Sequence, residues 1–212
     1  MGLFDFLRKR RRMGILPEDI VVFIIGPSGS GKSWFLSTLL QNPNVHTLVK
    51  VSREHKPSEV HAVRCRFEGI PNDILLVDTP SFYVDHGPDA EATLKKWMDS
   101  NDTKESWAIG ILYMHNIASN LYDDNLRLLK HIGAFRRTCR RDLSHSTVYV
   151  VPSVASEVRL SSGRIEASMS RLQREAAEGG TLMYATLFDG KPEIAWGIMQ
   201  GLFNNMEPCT RV

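Results

Sequence analysis

The sequence predicts an α/β fold, three layers built on a mostly parallel six-stranded sheet, and three observations carry that expectation. Short, nearly continuous apolar runs recur along the chain, as strands covered on both faces require. Segments with helical apolar spacing alternate with them. The first run, Ile20 to Ile25, passes straight into Gly26-Pro27-Ser28-Gly29-Ser30-Gly31-Lys32-Ser33, a glycine-rich turn that opens the next helix.

The elements follow in order. Ile20 to Ile25 is all β-branched or aromatic and reads as a buried strand. A helix from about Lys32 to Leu40 comes next, then strand-like Val45 to Val51 and Val60 to Phe67. Ile74 to Val77, Trp107 to Met114 and Thr147 to Val151 are further short apolar runs. Helices are expected over Ala90 to Met98, Leu121 to Arg137, Arg164 to Ala177 and Glu193 to Phe203. The second of these places Leu121, Leu128, Leu129, Ile132 and Phe135 on one face. Trp97 and Trp107 read as packing residues.

A chain of 212 residues with 42% hydrophobic content can bury about 70% of its unfolded surface in a single core. Without repeats or a low-complexity linker, residues 15–205 read as one domain, between a tail over 1–14 and a short tail over 206–212. Cys65, Cys139 and Cys209 are odd in number and form no CxxC pair, which argues against a disulfide framework or a zinc site and fits a reducing, cytoplasmic setting. No apolar run approaches the roughly 20 residues of a membrane span.

Charge is uneven. Arg8, Lys9, Arg10, Arg11 and Arg12 supply five of the 26 basic residues, so the rest of the chain is slightly acidic and nucleic acid is not expected as a partner. Leu3, Phe4, Phe6 and Leu7 stand beside that basic run, a pattern suited to weak contact with an anionic membrane surface.

The turn matches GxxxxGK[ST] in full, in the strand-to-helix context the motif needs. Its glycines let backbone N–H groups point inward, and the helix N-terminus adds partial positive charge. Lys32 would neutralise the β- and γ-phosphates of a nucleotide, and Ser33 would offer its hydroxyl to Mg²⁺. Gly26, Pro27, Ser28, Gly29, Ser30, Gly31, Lys32 and Ser33 are therefore the phosphate-binding residues. Trp34, bulkier than the usual residue there, stands beside the α-phosphate position. Asp78, closing the apolar run Ile74-Leu75-Leu76-Val77, is the acid expected to organise the metal.

Asp78-Thr79-Pro80, with the glycine-rich turn, Ile109-Gly110-Ile111-Leu112-Tyr113-Met114-His115 and a closing helix that contains Trp196, resembles the fungal G-domain proteins, relatives of the AIG and septin-type GTPases. The resemblance spans most of residues 20–205. It implies a Ras-like P-loop NTPase domain, Mg²⁺ and hydrolysis of a nucleoside triphosphate. On it, Ser81 takes the place of the family glycine whose backbone N–H meets the γ-phosphate, and Ser58, with Thr47 as its rival, falls where a switch threonine closes on the metal. Phe82 stands where a water-positioning Gln would follow and cannot orient a water, so Asp85 and His86 become the candidate catalytic groups, with Glu54 and His55 as rivals.

The base-reading pattern [NT]KxD of that family is absent. After Thr147 to Val151 the chain gives Pro152-Ser153-Val154-Ala155-Ser156, without the lysine or the aspartate. A site without that polar pairing discriminates weakly, so ATP is slightly favoured over GTP, with backbone groups around Tyr184 to Leu187 as other readers of either base. Two other readings stand beside hydrolysis. One is a nucleoside monophosphate kinase, with Arg136, Arg137, Arg140 and Arg141 as phosphate clamps. The other is a switch that binds nucleotide without hydrolysing it. A nucleotide-dependent homodimer would let a second copy supply the missing catalytic group.

Overall fold

The computed structural model describes residues 15–16, 18–50, 59–81, 87–101, 108–119, 127–139, 146–154 and 159–206. Its strands are β1 (Ile20–Ile25), β2 (Val45–Lys50), β3 (His61–Phe67), β4 (Ile74–Asp78), β5 (Ala108–Asn116), β6 (Thr147–Ser153) and β7 (Leu182–Met183). Among the described residues five helices accompany them: α1 (Lys32–Leu39), α2 (Gly87–Asn101), α3 (Leu128–Cys139), α4 (Ser162–Glu178) and α5 (Pro192–Asn204). Expected and observed bounds agree within a few residues, except that α3 is seen from Leu128, residues 121–126 lying outside the described ones.

The strands form one sheet in the order β2-β3-β4-β1-β5-β6-β7. β1 pairs in parallel with β4 and β5, β5 with β6, and β6 with β7, whereas β3 runs antiparallel to both β2 and β4. Among the described residues the sheet therefore has seven strands rather than six. The extra one, β7, is two residues long, too short to leave a periodic trace in the sequence.

Alternation along β1 explains the three layers. Val21, Phe23 and Ile25 join a core with Leu94 and Met98 of α2, Leu128, Ile132 and Phe135 of α3, and Leu172 and Ala176 of α4. Ile20, Val22 and Ile24 face the other core, built on Phe35, Leu36 and Leu39 of α1 and Ala195, Ile198, Met199 and Leu202 of α5. Every β1 residue is buried, so the strand is apolar without a polar face. Trp97 packs as expected, edge-on to Phe23 with centroids 6.3 Å apart. Trp107 lies outside the described residues.

Parallel β1, β4, β5 and β6 bring their C-terminal ends to the same edge of the sheet, which sets the site. The opposite edge carries a buried ion pair between Asp19, just before β1, and Arg64 of β3. Burial raises the Asp19 pKa despite the guanidinium beside it. Among the described residues, no helix is long and apolar enough to cross a membrane. The tail over 1–14 lies outside them.

Candidate phosphate site

β1 ends at Ile25 and the chain must turn at once. Gly26 does so at φ +145, and a Cβ there would lie 2.3 Å from the carbonyl oxygen of Met114 in β5, so both the conformation and the space require glycine. The loop is then held from behind. Ser153 Oγ, at the tip of β6, donates to the Ser30 carbonyl at 2.7 Å, and Asn116 Nδ2, at the tip of β5, donates to the Gly29 carbonyl at 3.2 Å. These two ties fix the path of the loop against the tips of β5 and β6.

Lys32, only 7% exposed, reaches back across the loop. Its Nζ donates to the carbonyls of Gly26 and Pro27, both at 3.0 Å, and to Ser81 Oγ at 2.7 Å. Burial pushes its pKa down to about 8, opposed by the Asp78 carboxylate. Ser33 Oγ donates to Asp78 Oδ2 at 2.6 Å. A hydroxyl and a buried carboxylate thus converge at the loop's mouth, an all-oxygen pair of the kind a hard divalent cation prefers. Ser33 and Asp78 fit Mg²⁺, each presenting an oxygen that an ion could take in place of their mutual hydrogen bond.

Lys32, Ser33, Asp78 and Ser81 line one cleft of about 270 Å³, which Glu59 and His61 also line. The register explains the last pair: β3 runs antiparallel to β4 with His61 opposite Asp78. Nothing in the local sequence marks Glu59 or His61, because only the β3–β4 pairing brings them to the loop.

Trp34 forms the other end. Its ring lies 4.8 Å from that of Phe188, tilted by 54°, and it also lines the cleft. Gly190 sits against its edge at φ +91, where a Cβ would come 2.2 Å from Trp34 Cζ2. Phe188 is held by its N–H on the Pro152 carbonyl and by the Val154 N–H on its own carbonyl, so the loop after β7 continues alongside β6. The Tyr184 N–H donates to the Val150 carbonyl and is therefore committed to the sheet rather than free to read a base. Next to Gly190, Lys191 Nζ donates to Asp189 Oδ2, and this bond lowers the Asp189 pKa.

The structure thus brings together the residues from Gly26 to Ser33 with Trp34, Asp78 and Ser81. Ser58, Asp85, His86, Glu54 and His55 lie outside the described residues. Arg136 and Arg137 occupy the last turn of α3, at the end that leads toward the N-terminal end of β6, whereas Ser153 at the other end of β6 touches the loop. Arg140 and Arg141 lie outside the described residues. Thr47 is in β2, at the far side of the sheet, separated from β1 by β3 and β4.

Sequence reasoning missed Asn116 and Ser153. The signal available was weak: each is a small polar residue closing an apolar strand.

No known family profile and no curated protein matches the sequence. Solved structures do resemble it. A bacterial selenocysteine-specific elongation factor, EF-Sec, superposes with a TM-score of 0.56 at 10% identity, over 89% of this chain and 29% of the other. The cytosolic domain of L. pneumophila FeoB aligns over 87% of this chain and 67% of its own, at 13% identity and a TM-score of 0.45. The chain thus spans less than a third of the elongation factor's length. What it shares with that protein is its fold, a Ras-like P-loop NTPase architecture with a mostly parallel sheet.

Proposed function

We propose that this domain binds a nucleoside triphosphate with Mg²⁺ and hydrolyses the terminal phosphoanhydride, accepting ATP slightly ahead of GTP. The observation that carries the reading is the meeting of Lys32, Ser33 and Asp78 at the mouth of a glycine loop whose carbonyls are tied back. Loop amides and the Lys32 ammonium would grip the β- and γ-phosphates, and Ser33 with Asp78 would hold the metal. Bound Mg²⁺ supplies charge neutralisation on the phosphate oxygens. Lys32 needs only to exchange neutral acceptors for anionic ones, which strengthens each of its hydrogen bonds. Asp85 and His86 are the groups proposed to position the attacking water.

The base preference rests on the segment from Pro152 to Ser156, which has neither lysine nor aspartate. Within the Ras-like fold, kinship with the AIG and septin-type GTPases rests on the glycine loop and Asp78-Thr79-Pro80. A nucleotide-dependent homodimer, a site inside the cytoplasm and weak membrane contact through residues 1–14 complete the reading.

One assay tests it. Purified protein with Mg²⁺ is incubated with ATP, with GTP, and with ATP plus AMP, and the products are separated. Diphosphate and inorganic phosphate are expected, slightly faster from ATP. A second diphosphate formed from AMP would instead mark a kinase, and binding without turnover a switch. Lys32→Ala should weaken triphosphate binding about 100-fold, since roughly 3 kcal/mol of charge-assisted hydrogen bonding is removed. Turnover that survives this substitution would sink the assignment of the site.

A further inference from the structure

We propose that Ser81 sets the preference between triphosphate and diphosphate, its hydroxyl standing on Lys32 in the place the γ-phosphate takes. The proposal rests on the triphosphate-binding reading and adds to it a specificity role for a side chain rather than a backbone amide.

An ammonium has three N–H donors, and Lys32 directs one to each of three acceptors. Two of these, the carbonyls of Gly26 and Pro27, belong to the loop itself. Gly26 is confined by the Met114 carbonyl, and the next carbonyls along are anchored by Asn116 and Ser153. The third acceptor, Ser81 Oγ, comes from the segment after β4, on the side of Lys32 where Asp78 stands. It is also the shortest of the three bonds.

A loop of this kind cradles the α- and β-phosphates, and its lysine reaches toward the γ-phosphate, which lies nearest the metal acid. The phosphate arriving on the Asp78 side therefore meets Ser81 Oγ already seated on Lys32. Thr79 and Pro80 favour exchange at Ser81 rather than at the loop. Thr79 is pinned to the sheet by its N–H and its Oγ1, both on the Ile24 carbonyl, and Pro80 has no N–H to give. Ser81 is the first residue past that anchor, and it is half-buried. A γ-phosphate thus displaces a neutral hydroxyl, whereas a diphosphate held by the loop leaves the Lys32–Ser81 bond in place. The hydroxyl competes with triphosphate alone.

The test is calorimetric titration in excess Mg²⁺ of wild type, Ser81→Ala and Ser81→Thr, each with a diphosphate and with a non-hydrolysable triphosphate analogue. Ser81→Ala should bind the triphosphate about fivefold to tenfold more tightly, the net worth of one typical hydrogen bond, with diphosphate affinity changed less than about twofold. Ser81→Thr retains a hydroxyl and should keep the wild-type ratio. Weaker triphosphate binding by Ser81→Ala, or an equal shift for both nucleotides, overturns the proposal. A wild type that binds neither nucleotide overturns the nucleotide reading and this role with it, whereas binding with an unmoved ratio overturns this role alone.

Discussion

The two ends of the cleft are built on different principles. At the Lys32 end the geometry is made by backbone: a left-handed glycine turn, carbonyls tied to the tips of β5 and β6, and one buried cation. At the Trp34 end it is made by side chains, an indole packed on Phe188 and wedged against Gly190. Backbone hydrogen bonds tolerate many residue types, whereas an aromatic wedge depends on one side chain and the absence of another. On the proposed function, the first end would grip the phosphates whatever the base, and the second would carry discrimination among bases.

Three perturbations sharpen that contrast. The largest effect is expected from Gly190→Ala, which meets φ +91 and puts a methyl 2.2 Å from the indole. Together these cost about 2–3 kcal/mol, visible as lowered thermal stability. Nucleoside triphosphate affinity should fall while affinity for inorganic tripolyphosphate holds. Equal loss for both ligands would erase the distinction between the two ends.

Raising the pH probes the Lys32 end. The folded pKa of Lys32 is near 8 and the ordinary value is 10.5. Between them the unfolded chain holds more protons than the folded one, so this group makes stability rise with pH across that window and withholds that contribution below about 8. Phosphate binding has the opposite dependence, because the bound anion favours the ammonium. Above pH 8 triphosphate binding should take up a proton and weaken by up to about tenfold per pH unit. Calorimetry in two buffers of different ionisation enthalpy measures that proton, and tripolyphosphate should behave like ATP.

Ser153→Ala gives the smallest change. It removes the tie between the tip of β6 and the Ser30 carbonyl, at a cost of about 1 kcal/mol in urea unfolding. If the loop grips phosphate as proposed, ATP, GTP and tripolyphosphate should weaken alike, by roughly fivefold. A selective loss of one purine would move Ser153 from loop support to base recognition.

Much of this was legible in the chain. Ile20 to Ile25 needed no partner to read as a strand, since six consecutive apolar residues suit only a position covered on both faces. The loop was readable because a phosphate cradle demands glycines and a lysine at set spacing. Asp78 could be placed for a similar reason, as the acid at the end of an apolar strand. His61 and Asn116 could not, since each enters the site through the pairing of its strand with another, and Glu59 arrives with the segment that leads into β3. β7 escaped notice because two residues have no period.

The order of residues by itself determined the layers, the glycine turn, its lysine and the carboxylate that closes β4, because those depend on local spacing and on which side chains avoid water. Tertiary structure alone decided which acceptors surround Lys32, which strand tips restrain the loop and why residue 190 must lack a side chain. These are contacts between segments far apart along the chain, and no local pattern encodes which distant group will arrive.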